Sequence, residues 1–131
     1  MVGVTDSDRT EPVLERAMAI VRASGGTLHL VTGFKAHRPS APRMPEEFRY
    51  SLAAVDPVDY RLNQLAARAR QADIAVRTHA VLSGPVDALT TVARDEAADL
   101  IVVGAAARRP GYLADVPRAV TAAAACAVLV V

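Results

Sequence analysis

One cysteine stands in the whole 131-residue chain, Cys126, so no internal disulfide can form, and its place before a run of aliphatic residues makes it a small buried hydrophobe rather than a reactive thiol. Charge of one sign is equally scarce: fifteen Lys and Arg against fourteen Asp and Glu leave a net +1. That balance supplies no field to draw in nucleic acid or an anionic membrane, so neither is expected as a partner. No apolar run approaches the roughly eighteen residues of a membrane span, and the apolar start lacks the basic region and cleavage site of a signal peptide. The default address is the cytoplasm. The three histidines, His29, His37 and His79, show no i, i+4 pair, Cys126 has no partner, and Gly-x-Ser-x-Gly is missing. Metal chemistry and nucleophilic catalysis therefore have no sequence support, and no enzyme is expected.

The chain does have alternation. Val2 to Val4 reads as a short strand, and TDSDRTE supplies turn and capping residues before Pro12, after which Val13, Leu14, Ala17, Met18 and Val21 recur at helical spacing. Gly25 and Gly26 end that helix and TLHLVTG reads as a strand. Residues 34 to 57 hold four of the eight prolines and no sustained period, which predicts a long loop. Asp56-Pro57 opens a helix to about Gln71, Ile74 to Leu82 reads as the third strand, and Ser83-Gly84-Pro85 starts a helix through about Ala97. Asp99 to Val103 is a short buried strand, Asp115 or a neighbour caps the last helix, and Ala127 to Val131 is the last strand. Continuous aliphatic strands between helices predict an α/β fold, an open five-stranded parallel sheet with helices on both faces, in one domain over residues 1–131. Ligands of such sheets sit beyond the carboxyl ends of the strands.

Three stretches, VGVTDSDRTEPVLERAMAIVRASGGTLHLV, HAVLSGPVDALTTVARDEAADLIVVGA and AAAACAVLVV, resemble in order and spacing the opening, middle and close of a universal stress protein domain. The resemblance covers almost the whole chain and implies a Rossmann-like fold related to adenine-nucleotide binders. Members that bind ATP carry Gly, two residues, Gly, nine residues, Gly, then Ser or Thr. Gly104 matches the first glycine, but Ala107 stands at the second. The closing pair falls on Pro117 and Arg118 counted forward, or on Ala114 and Asp115 counted back from the last strand. The resemblance further implies a nucleoside contact at the end of the first strand, at Val4 and Thr5 without a gap or at Asp6 after a one-residue shift, where Asp6 and Asp8 also read as turn and helix-capping residues, and it puts Gly84 at a helix entry near the ligand.

A phosphate loop needs glycines that let backbone N–H groups close on the anion, and alanines at 105 to 107 put methyl groups in the way. Asp115 as a cap would fill the helix N-terminus with its own carboxylate. Arg108 and Arg109 could clamp phosphate by paired hydrogen bonds, or be a solvated loop tip or a protein contact. The expectation is a stress-response module that is not a competent ATP binder, has no resident cofactor, and acts through a protein partner or an unidentified small ligand. The family's habit of pairing the last strand across a dimer implies a homodimer through Val128, Leu129, Val130 and Val131. The alternatives are a weak ATP or AMP binder and one domain of a larger or tandem protein.

Overall fold

The aliphatic runs become strands and the amphipathic runs cover them. The computed structural model describes residues 1–4, 9–34, 57–105 and 115–131. In chain order the elements are β1 (Val2–Gly3), α1 (Thr10–Ser24), β2 (Leu28–Gly33), α2 (Pro57–Gln71), β3 (Val76–Val81), α3 (Pro85–Asp95), β4 (Leu100–Val103), α4 (Val116–Ala123) and β5 (Ala127–Val130). All five strands are parallel, in the spatial order β3-β2-β1-β4-β5. The central strand β1 pairs Val2 with Leu30 on one side and Val102 on the other.

Strand alternation feeds two cores. Leu28 and Leu30 of β2, Val2 of β1 and Val102 of β4 face α1 and α2, where Val13, Leu14, Ala17, Leu62, Leu65, Ala66 and Ala69 close the layer. Val31, Ile101 and Val103 face the other way onto Ala88, Leu89 and Val92 of α3 and Val120 of α4. Leu14, Leu28, Leu30 and Ile101 are fully buried. Each contributes about 1.5–3 kcal/mol by leaving water. Helices on both faces are why β4 can read LIVV without a polar residue.

Local signals set the ends. Gly25 terminates α1 in the left-handed conformation, φ 73°, with its N–H donating to Val21 O at 2.7 Å. Among the described residues two that are not glycine adopt the same region, Asp73 (φ 57°) after α2 and Ala97 (φ 48°) after α3. These turns move two boundaries. Helix α3 stops at Asp95 rather than Ala97, and Ile74 donates to Ala69 O at 3.0 Å as part of the α2 exit, so β3 begins at Val76 instead of Ile74. Helix α1 starts at Thr10, two residues before Pro12, and β1 ends at Gly3. Both outer strands are less buried than β1, β2 and β4, with Arg77, Thr78 and Ala80 of β3 exposed.

Candidate functional site

From β1 the chain builds outward through β2 and β3, and then returns to the opposite side of β1 with β4 and β5. The strand order therefore reverses between β1 and β4, and the crevice beyond their carboxyl ends is where this architecture receives ligands.

Val4 leaves β1 into that crevice as a wall. Its side chain is buried, its N–H donates to Val31 O at 2.7 Å, and its carbonyl accepts from Thr32 Oγ1 at 3.0 Å. Gly104 leaves β4 beside it. A Cβ there would lie 3.3 Å from Val13 Cγ2 and 3.6 Å from Arg9 Cβ, so the missing side chain lets the first turn of α1 lie on the end of β4. Ala105 is held from two sides: its N–H donates to Val131 O at 2.9 Å, and its carbonyl accepts from Arg9 Nη1 at 2.5 Å.

Asp115 occupies the N-cap of α4. Its Oδ1 accepts from the Arg118 backbone N–H at 3.2 Å, and its carbonyl accepts from Ala119 N at 3.0 Å. One N–H of this helix end, that of Arg118, is thus engaged by the chain's own carboxylate. An open depression of about 560 Å³ lies alongside, bounded by Ala105, Asp115, Pro117, Arg118, Thr121 and Val130. The Thr121 hydroxyl is turned back to Pro117 O at 2.7 Å, so it gives the depression no free donor.

Gly84 is a helix-entry residue: extended backbone, Pro85 immediately after it, and its carbonyl accepting from Ala88 N at 3.0 Å. It also packs closely on the end of β2. A Cβ at Gly33 would stand 2.7 Å from Ser83 O and 3.0 Å from Gly84 C and O. The Ser83 hydroxyl bonds to Gly84 O.

The structure thus brings Val4, Gly104 and Asp115 to the crevice and its α4 margin, with Gly84 one strand away. Thr5, Asp6, Arg108, Arg109 and Ala114 lie outside the described residues, as do Ala107, His37 and most of the proline-rich stretch. Sequence reasoning missed Arg9. The signal was a local anomaly, an arginine at the position before the first helical residue, where Ser, Thr, Asp or Asn is preferred and where the helix dipole opposes a cation.

Away from the crevice, His29 and His79 pair across β2 and β3, with Nδ1 and Nε2 3.0 Å apart and stacked rings 5.2 Å between centroids. Burial, followed by the neighbouring His79, holds the His29 imidazole below its ordinary value. Among the described residues no group of three or more His, Cys, Asp or Glu gathers to hold a metal ion, and no helix is long and apolar enough to cross a membrane. Cys126 packs half-buried against the α3–α4 core. On β5, Val128 and Leu129 are half-buried and Val130 is 46% exposed, and Val131, just beyond the strand, is 37% exposed.

The model of the universal stress protein family matches residues 1–131. No protein of curated function matches the sequence. Among solved structures, the chain is similar to a universal stress protein in complex with cAMP, at 27% identity and TM-score 0.76, over 99% of this chain and 92% of that one. It is also similar to a universal stress protein from Archaeoglobus fulgidus in complex with dAMP, at 23% identity and TM-score 0.65, over 98% and 93% of the two chains. A third is a universal stress protein family protein from Arabidopsis thaliana with AMP bound, at 17% identity and TM-score 0.68, over 99% and 89%. The last two speak to the fold alone.

Proposed function

The chain belongs to the universal stress protein family, and from that premise we propose that it is a non-catalytic cytoplasmic stress-response module whose crevice does not hold ATP competently. Its output in this reading is self-association and contact with a protein or a small ligand. The observation that carries the reading is the Asp115 cap. The carboxylate accepts from Arg118 N at the helix end that would meet a phosphate. A phosphate charge 4 Å from it is opposed by about 1 kcal/mol in water and about 4 kcal/mol in a partly buried setting. Asp115 is exposed, so the figure for water applies, and it offsets only part of the about 8 kcal/mol that micromolar affinity amounts to.

Self-association through β5 is part of the proposal. An edge strand of aliphatic residues with Val130 exposed, and Val131 exposed just after it, is a template for pairing, and a second copy of the same strand is a symmetric way to cover it.

Weak adenine-nucleotide binding is the second reading, supported by the similar structure that holds cAMP and by the wide depression beside Asp115. Calorimetric titration with ATP, with and without magnesium, separates the two. The leading reading expects no saturable binding below millimolar for the natural chain and a gain of about tenfold in Asp115→Ser, which keeps a cap but removes the charge. Micromolar binding by the natural chain would overturn it.

A further inference from the structure

Strand β3 stands at the edge of the sheet with one neighbour. It pairs with β2 alone, from Leu28 opposite Val76 to Gly33 opposite Val81. Between those ends Arg77, Thr78 and Ala80 are exposed and His79 is half-buried, so little packing holds the middle of the strand. Among the described residues two polar side-chain bonds tie that middle down. His79 Nε2 meets His29 Nδ1 of β2 at 3.0 Å, and Arg77 Nη1 meets Oε2 of Glu96, the C-cap of α3, at 3.5 Å. The register sets His29 opposite Arg77 and Val31 opposite His79, and Val31 faces α3, so His29, Arg77 and His79 share the α3 side of the sheet.

The histidine contact has hydrogen-bond length, so one proton lies between the two nitrogens, with one ring donating and the other accepting. One added proton leaves this bond intact. It settles on His79, the ring that water reaches, whose Nε2–H then donates to the bare Nδ1 of buried His29. A second added proton removes the lone pair between the rings. Two N–H groups and two positive charges then face each other, with Arg77 a third charge in register with His29. Glu96 opposes them but is shared with Arg77, and the Met1 amine adds to the positive side. Burial, followed by His79, holds the His29 imidazole below its ordinary value, as befits a ring that refuses the second proton.

We propose that His29 and His79 form a proton-sensitive latch on β3: the pair accepts one proton without letting go and opens on the second, which frees the middle of β3 from β2 while β1, β2 and β4 stay paired. The ring that leaves is His79, because it stands on the edge strand and can turn to water, whereas His29 is buried. Acid thereby loosens the sheet edge opposite β5, independently of what the crevice binds.

The test follows two signals in the natural chain from about pH 7.5 to about pH 4.5: the histidine ring nitrogen resonances, and backbone amide exchange corrected for its intrinsic pH dependence. His79 should titrate first and His29 only further into acid. Over the same range the hydrogen-bonded amides of residues 77–80 should lose about tenfold or more protection relative to those of residues 101–103 in β4, which report opening of the whole fold. His79→Gln changes a half-buried edge position and leaves Arg77 and Glu96 in place, so it should fold, which circular dichroism checks. In that variant the His29 step should move up, because a neighbouring charge is gone, and the difference between β3 and β4 should no longer depend on pH. Both rings taking their protons in a single step would overturn the proposal, as would equal loss of protection in β3 and β4, or a pH-dependent loss in β3 that persists in His79→Gln.

Discussion

Gly33→Ala probes how the sheet carries the crevice margin. The added methyl would stand 2.7 Å from Ser83 O and 3.0 Å from the carbonyl of Gly84, both backbone atoms that cannot rotate away. To restore ordinary contact the β3–α3 turn must retreat by roughly 0.5 Å or more. That turn is the entry of α3, whose Ala88 and Leu89 are buried against the sheet, so the retreat is resisted by a packed core. Overpacking of this kind costs about 1–3 kcal/mol. Against it stands a gain of about 0.4–1 kcal/mol, because alanine has less freedom to lose in the unfolded chain and Gly33 has no positive φ. The net loss is about 1–2 kcal/mol, or about 3–8 °C in Tm for a domain of this size. Gly26→Ala is the matched control: its nearest neighbour is Ser24 Oγ at 3.6 Å, so only the gain applies and Tm should rise by about 1–3 °C. Thermal unfolding followed by circular dichroism reads both. Equal Tm changes of the same sign in the two variants would refute the close approach of Ser83 and Gly84 to β2.

Two further outcomes follow from other parts of the molecule. Burial and the neighbouring His79 lower the His29 pKa from 6.5, with Glu96 acting in the opposite sense and Arg77 with them. Below about pH 6.5 the unfolded chain therefore binds a proton that the fold refuses, and stability is lost as pH falls toward the folded value. Tm should drop more steeply between about pH 7 and pH 5.5 in the natural chain than in His29→Gln, and parallel pH curves would contradict this. On β5, Val130→Asp alters an exposed side chain, unlike Leu129, which leans on the core. Light scattering should show a monomer or an aggregate, and an unchanged dimer would remove β5 as the interface.

Much of the architecture is written in short-range chemistry. Gly84-Pro85 announces the start of α3, Gly25 the end of α1, and Asp115 ahead of Val116 and Pro117 the cap of α4, because each acts on backbone within a turn of itself. The strands were legible from their aliphatic runs, although their first and last residues shifted where Asp73 and Ala97 take left-handed turns that favour glycine. What stayed hidden depends on chain pairing. Arg9 meets Ala105 only because β1 and β4 are neighbours, and Gly33 needs to be glycine only because the β3–α3 turn folds onto the end of β2. His29 and His79 likewise come together through the β2–β3 register, which sets His29 opposite Arg77 and Val31 opposite His79. No periodicity in one strand encodes its register with another.

The most direct test of the self-capped crevice is the backbone amide resonance of Arg118 in a titration with ATP. Bound to Asp115 Oδ1 in the structure, that amide should show no saturable shift through millimolar ATP, and should move at once on Asp115→Ala. A saturable shift of Arg118 and Gly104 at micromolar ATP would mean that phosphate displaces the carboxylate, and the account of the crevice would be wrong.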